Sequence, residues 1–262
     1  MTVLDELLAR TVHSHLIEMP GAWGQGRAVY GGLVAALMMS RLQSGVAVGQ
    51  VLRAMSLSFV GPVNEGVAEL HVEVLRQGKS VTHLSCRLLQ EQDVRCVMLA
   101  CFGHGRISQI LLKPTVMPVA ADPASLAVLP HIPGVMPEFT QWFDYRYVDG
   151  DPPFSNSRQG VLGGWIRLQE PGSAFSAAHL LALIDAWPPA VLPMYPGPAP
   201  ISTMTWSAEF PDLPQGLSAS QWFRYRADSG MSAAGYAATH AGIWTDQGKL
   251  LAISHQSIAV FR

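Results

Sequence analysis

The sequence predicts an α+β protein in which two antiparallel sheets each wrap a central helix and join side by side into one continuous sheet. Three observations predict it: two helical stretches are apolar on nearly every side, runs of strand-like alternation follow each of them, and charge is scarce. Charged residues make up 14% of the 262 residues and hydrophobic ones 49%, against about 25% charged in an ordinary globular domain. A chain this apolar can bury enough surface to offset its ordering entropy, which excludes intrinsic disorder. It also predicts burial beyond a single monomer core, hence tight packing between two halves and self-association, a homodimer above all.

The first helix is expected over residues 31–43, from Gly31 through Met38-Met39 to Gln43. A helix without a polar stripe has to be wrapped by other elements rather than laid on a surface. The pattern then switches to period two. Residues 67–76 alternate Leu70, Val72 and Val74 with Glu69, His71 and Glu73, and residues 80–90 place Thr82, Leu84, Cys86 and Leu88 on one face. After the polar Glu91-Gln92-Asp93 turn comes a third run, 94–102, and such strands joined by short turns make an antiparallel sheet. Prolines at 114, 118, 123, 130, 133 and 137 forbid a regular helix or a central strand in the next stretch, which reads as a surface crossover. A second unit repeats the plan. Residues 163–168 read as a strand, Ser176 as the cap of a helix over 177–187 stopped by Pro188-Pro189, and residues 220–227, 233–245 and 249–261 as three strands. Asp246-Gln247-Gly248 is a hairpin signal between the last two.

A net charge of −2 and the lack of any Lys/Arg stripe give no reason to expect a nucleic-acid partner. No apolar run approaches the ~20 residues of a membrane span. Acids at Asp5 and Glu6 stand where a signal peptide would carry basic residues, so a cytoplasmic location is expected. The three cysteines, Cys86, Cys96 and Cys101, are odd in number and lack metal-ligand spacing. They read as small buried hydrophobes, and no metal or other cofactor is expected.

A fully apolar helix inside a strongly curved antiparallel sheet is the hot-dog fold, and two copies in one chain make a double hot dog. The expected units are residues 1–105 and 141–262, with the proline-rich crossover over 106–140. At this point the chain resembles the TesB-like acyl-CoA thioesterase II family. Tyr30-Gly31-Gly32 opens the first helix, Ser56 to Pro62 looks like the family's strand-and-proline element, and Arg76-Gln77-Gly78-Lys79-Ser80 looks like its Arg-x-Gly-[Lys/Arg/Asn]-Ser turn. Trp165-Ile166-Arg167, Asp185 and His255-Gln256 follow in the family's order. The resemblance implies hydrolysis of an acyl-CoA thioester to free acid and CoA. The alternative is a binding or interaction protein that holds an acyl thioester in the same fold without hydrolysing it.

Thioester hydrolysis needs a polarised carbonyl and an oriented water that can lose a proton, and no metal, because a thiolate leaves readily. Amides at a helix N-terminus can hold the developing oxyanion, and Gly31-Gly32 suits that task because a missing Cβ admits a substrate close to the backbone. The resemblance further implies a water-holding set of Asp, Ser/Thr and Gln. Gln256 matches the last. The acid position falls on Thr205 and the hydroxyl position on Gly230, with Ser229 before it and Ser232 two residues after. A threonine can orient water but cannot accept its proton near neutrality. Asp185 is therefore the substitute carboxylate, its alternative role being to anchor a helix end. His179 is offset from Asp185 by well over a turn and is not its natural partner, and His240 and His255 fall on strands.

Overall fold

The computed structural model describes residues 3–170, 172, 175–214 and 216–261; Met1, Thr2 and Arg262, at the outer ends of the two expected units, lie outside the described residues. The first half contains helix α1 (Val3–His13), β1 (Leu16–Met19), a small ribbon of β2 (Gly24–Gln25) and β3 (Ala28–Val29), helix α2 (Gly31–Gln43), and the strands β4 (Val51–Phe59), β5 (Gly66–Gln77), β6 (Val81–Gln90) and β7 (Asp93–Gly103). The second contains β8 (Phe143–Asp149), β9 (Val161–Leu168), helix α3 (Ala177–Ile184), β10 (Ile201–Glu209), β11 (Phe223–Ala233), β12 (Tyr236–Thr245) and β13 (Leu250–Val260).

Eleven strands form one sheet in the order β1-β5-β6-β7-β4-β10-β13-β12-β11-β9-β8. The halves meet where β4 pairs antiparallel with β10, Ala54 opposite Glu209 through Ser58 opposite Thr205. Each half sheet curls around its helix. In α2 the run from Gly32 to Ser40 and Leu42 is buried, and in α3 every residue is buried. Helices this apolar have no solvent-facing side to offer, so the fold encloses both and packs them against each other. Helix α1 adds a lid over the far end of the pair. Ser40 Oγ donates to Leu8 O at 3.0 Å, Arg41 to Val12 O at 3.0 Å, and His179 Nε2 meets Asp5 Oδ1 at 3.0 Å.

The first-half helix and strands lie where the hydrophobic period puts them, within a residue at most ends. In the second half neither β8 nor β10 matches an expected strand, the strand expected to end at 227 runs on to Ala233, and three expected elements start or stop three residues away from expectation. Helix α3 stops at Ile184 rather than at 187, with Asp185 as its C-cap, because the residue before Pro188 disfavours helical backbone and the chain has to turn before it. The strand expected over 220–227 begins at Phe223, since Ser218 and Gln221 close a turn, Gln221 N–H donating to Ser218 O at 3.2 Å. The strand expected over 233–245 begins at Tyr236, because Ala234 (φ 52°) and Gly235 (φ 82°) form a left-handed hairpin joint.

Between β7 and β8 the described chain has only two short 3-10 turns, Pro123–Ser125 and Glu138–Trp142. This crossover is tied to the second half by its backbone carbonyls. Trp244 Nε1 donates to Thr115 O at 2.9 Å and Trp165 Nε1 to Ala121 O at 3.0 Å. Many of its apolar side chains, among them Ile107, Leu111, Leu112 and Val119, face solvent. Among the described residues no helix is long and apolar enough to cross a membrane.

Candidate active site

The two glycines that open α2 are required by different neighbours. A Cβ on Gly32 would fall inside the Tyr30 ring, which folds back beneath the helix start. That ring is fully buried, stacks on Phe139 at a centroid distance of 3.9 Å, and donates its hydroxyl to Ala182 O of α3 at 2.6 Å. A Cβ on Gly31 would come to 3.0 Å from Asp185 Oδ2 and 3.2 Å from the tip of Phe59. The glycine pair thus brings the start of α2 against the end of α3.

At that junction sits Asp185. Its carboxyl accepts the Gln256 amide, Nε2 to Oδ1 at 2.6 Å, and a backbone hydrogen bond from Gly32. The C-terminus of its own helix disfavours an anion, but the N-terminus of α2 points a positive dipole end and the Gly32 N–H at the same group. Buried tyrosines surround it, Tyr30, Tyr145 and Tyr225, whose hydroxyl pKa values are pushed up chiefly by burial; the Asp185 charge adds to this, behind Tyr147 in the case of Tyr145. Burial in this wall pushes Asp185 itself from 3.8 up to about 7, against the pull of the bonds from Gln256 and Gly32. The residue as a whole is half-buried.

Which strand residues share this face follows from the register. Leu57, Trp206, Gln256, Thr239 and Ser229 stand in a row across β4, β10, β13, β12 and β11, and the bond from Gln256 to Asp185 marks that row as facing the helices. Thr205 pairs with Ser257. Successive strand residues face opposite ways, so Thr205 stands on the outer face, away from Gln256. A β-bulge between Thr203 and Thr205 pairs Thr203 with Ile258, which shares the inward parity of Gln256. The inward hydroxyl near the end of this strand is therefore Thr203, a residue that the sequence reading passes over because a bulge without glycine leaves no mark.

Other expected residues are engaged elsewhere. Ser229 lies on the inner face but its hydroxyl donates to Ala238 O at 3.2 Å, and Gly160 covers it. Gly230 is the extra residue of a second bulge, its backbone against the His240 ring. His240 and His255 meet on the outer face, Nδ1 to Nδ1 at 2.6 Å. His179 binds Asp5 and the Ser176 cap, with its pKa lowered chiefly by burial. Cys86 and Cys96 are buried, which pushes both thiols up to about 12, so neither supplies a thiolate. The structure brings together Gly31, Gly32, Asp185 and Gln256, and leaves Thr205 outside that group. Asp185 has a pKa near the working range of a general base, a hydrogen bond that orients it, and a helix N-terminus beside it.

A continuous sheet wrapped around two antiparallel-packed apolar helices, with a carboxylate at their junction, defines a double hot-dog protein. The profile of the acyl-CoA thioesterase N-terminal domain matches residues 19–103, and that of the acyl-CoA thioesterase C-terminal domain matches residues 119–260. The chain belongs to the acyl-CoA thioesterase family. Among curated proteins no sequence matches it. Solved structures similar in fold include a conserved protein of unknown function with a hot-dog fold from Alicyclobacillus acidocaldarius, at 22% identity and TM-score 0.89, covering 100% of this chain and 99% of that one. A tesB protein of Mycobacterium avium subs paratuberculosis is similar at 19% identity and TM-score 0.76, covering 99% and 100%. The acyl-CoA thioesterase II TesB2 of Mycobacterium marinum is similar at 19% identity and TM-score 0.72, covering 89% of each chain.

Proposed function

We propose that this protein hydrolyses an acyl-CoA thioester to the free acid and CoA. The observation that carries the reading is Asp185, held by Gln256 and Gly32 with its pKa raised to about 7. A carboxylate in that state is a competent general base at neutral pH. This favours hydrolysis over thioester binding alone, which would need no such group.

In this reading Asp185 accepts a proton from a water whose oxygen attacks the thioester carbon. The Gly31 end of α2 stabilises the oxyanion that develops. Gln256 fixes the carboxylate through Nε2 and leaves its amide oxygen to orient the water, with the Thr203 hydroxyl on the same face. Collapse of the tetrahedral intermediate breaks the carbon–sulfur bond, and the proton held by Asp185 passes to the departing thiolate. The products are a carboxylic acid and CoA thiol, and the carboxylate is restored.

The direct test is to incubate the purified protein with medium- and long-chain acyl-CoAs and follow free thiol. Thiol release proportional to protein concentration is expected. Tight acyl-CoA binding with no thiol released would replace this reading by the binding-protein alternative.

A further inference from the structure

Thr239 stands between Gln256 and Ser229 in the inward row, directly opposite Gln256 across the β12–β13 ladder. Its side chain is 3% exposed, and its Oγ1 is sealed from solvent with no hydrogen-bond partner among the described residues. The hydroxyls around it are occupied: Ser229 Oγ donates to Ala238 O, and Ser254 Oγ accepts from Trp206 Nε1 at 2.9 Å. A buried hydroxyl without a partner loses its hydration and gains nothing in return. Valine has the same shape without that loss, so packing alone does not explain threonine here. Thr82 is the other buried threonine among the described residues whose hydroxyl lacks a partner, but it pairs with Phe102 and Gln77, in the first half. What sets Thr239 apart is the residue it faces.

Side chains directly opposite on antiparallel strands have their Cβ atoms about 5 Å apart, within reach of a rotated Gln amide. We infer that Thr239 is a positioning residue for the hydrolysis, its hydroxyl donating to the amide oxygen of Gln256 when substrate and water fill the site. That bond fixes the amide's orientation. Nε2 then remains on Asp185 and the second lone pair of Oε1 remains aimed at the water. The inference rests on the proposed hydrolysis.

The test is Thr239→Val beside Thr239→Ser, assayed for thiol release from acyl-CoA across pH 5–9, with thermal unfolding of each variant. Thr239→Val is expected to lower kcat about tenfold with KM changed less than twofold and the melting temperature equal to or above wild type. Its pH–rate limb should move upward, because a Gln256 that wanders stabilises the Asp185 anion less. Thr239→Ser should recover most of the rate. Wild-type kcat and an unmoved pH limb in Thr239→Val would overturn the inference while leaving the hydrolase reading intact. A rate lost only in proportion to a lowered melting temperature, and not recovered by Thr239→Ser, would overturn it in favour of a packing role. A wild type that releases no thiol would fail the reading on which the inference rests.

Discussion

Among single residues, Asp185 stands out: its ionisation differs widely between the unfolded and the folded chain. In an unfolded chain its carboxyl ionises near 3.8, and in the folded protein near 7. The native state therefore holds this proton more tightly than the unfolded state does. Wild type should lose stability relative to Asp185→Asn as pH rises from about 4 to about 7, with no further change above. Activity runs the other way: the wild-type rate should rise with pH through about 7, and Asp185→Asn should lose at least a hundredfold of kcat on the plateau above pH 7, the gap narrowing as pH falls. Gln256→Ala should lose about tenfold or more, about 1.4 kcal/mol of barrier, and shift the rising limb upward by removing a bond that favours the anion. Calorimetry and stopped-time thiol assays over pH 5–9 check all three, and a pH-independent rate would reject Asp185 as the base. Asp185 and Gln256 were legible in the sequence as an acid and an amide of the right order. Their contact was not, since 71 residues separate them. Thr205 came forward by matching Ser207 to the family's serine, and it shares the outward parity of Ser207; the bulge beyond it turns Thr203 inward, which the sequence does not mark.

At the level of elements, the start of α2 is the most constrained point in the fold. Gly32→Ala should be the damaging substitution for stability, about 1–3 kcal/mol, because the new methyl must displace a Tyr30 ring that is buried and bonded to Ala182. Gly31→Ala should cost less stability but more rate, since its methyl presses on Asp185 Oδ2 and the flexible end of Phe59. Denaturant titrations beside turnover measurements separate the two, and the reverse ranking would show that the glycines have been assigned to the wrong neighbours. The helices and strands of this region were readable because their apolar periods are long and clean. Helix α1 has no counterpart in the expected elements, although its Leu4, Leu8 and Thr11 are buried at helical spacing beneath an acidic first turn; three apolar-face residues are too few to stand out as a period. The early end of α3 was hidden because proline restricts the residue before it, and an apolar run alone gives no stop.

At the level of the whole molecule, the scarcity of charge has two outlets. One is the seam between β4 and β10, which turns two potential sheet edges into interior strands. The other is the crossover, where Ile107, Ile110, Leu111, Leu112, Val116 and Val119 are exposed. Exposed apolar side chains concentrated in one stretch of chain are suited to contact with a second copy. Light scattering at micromolar concentration should give at least a dimer, and Leu111→Asp with Leu112→Asp should shift it toward monomer without changing the melting profile of the monomer core. A wild-type monomer at that concentration would remove self-association from the account. The double plan was legible from an apolar helix followed by strands, twice. The pairing order of the eleven strands was not, because every junction between non-consecutive strands depends on contacts far apart in sequence.

The lid formed by α1 has a consequence for symmetry. A chain built from two similar halves creates two junctions where one central helix begins near the end of the other. At the first, the start of α2 meets Asp185, whose carboxyl takes the Gly32 and Gln256 hydrogen bonds. At the second, near the start of α3, Asp5 takes His179 while Leu8 and Val12 take Ser40 and Arg41. The duplicate vacancy is plugged by eleven residues that have no counterpart in the second half. On the proposed hydrolysis, duplication supplies a wall for one chamber by giving up the other, and the described residues of each chain offer the Asp185 junction as the reaction centre whichever way copies of it associate.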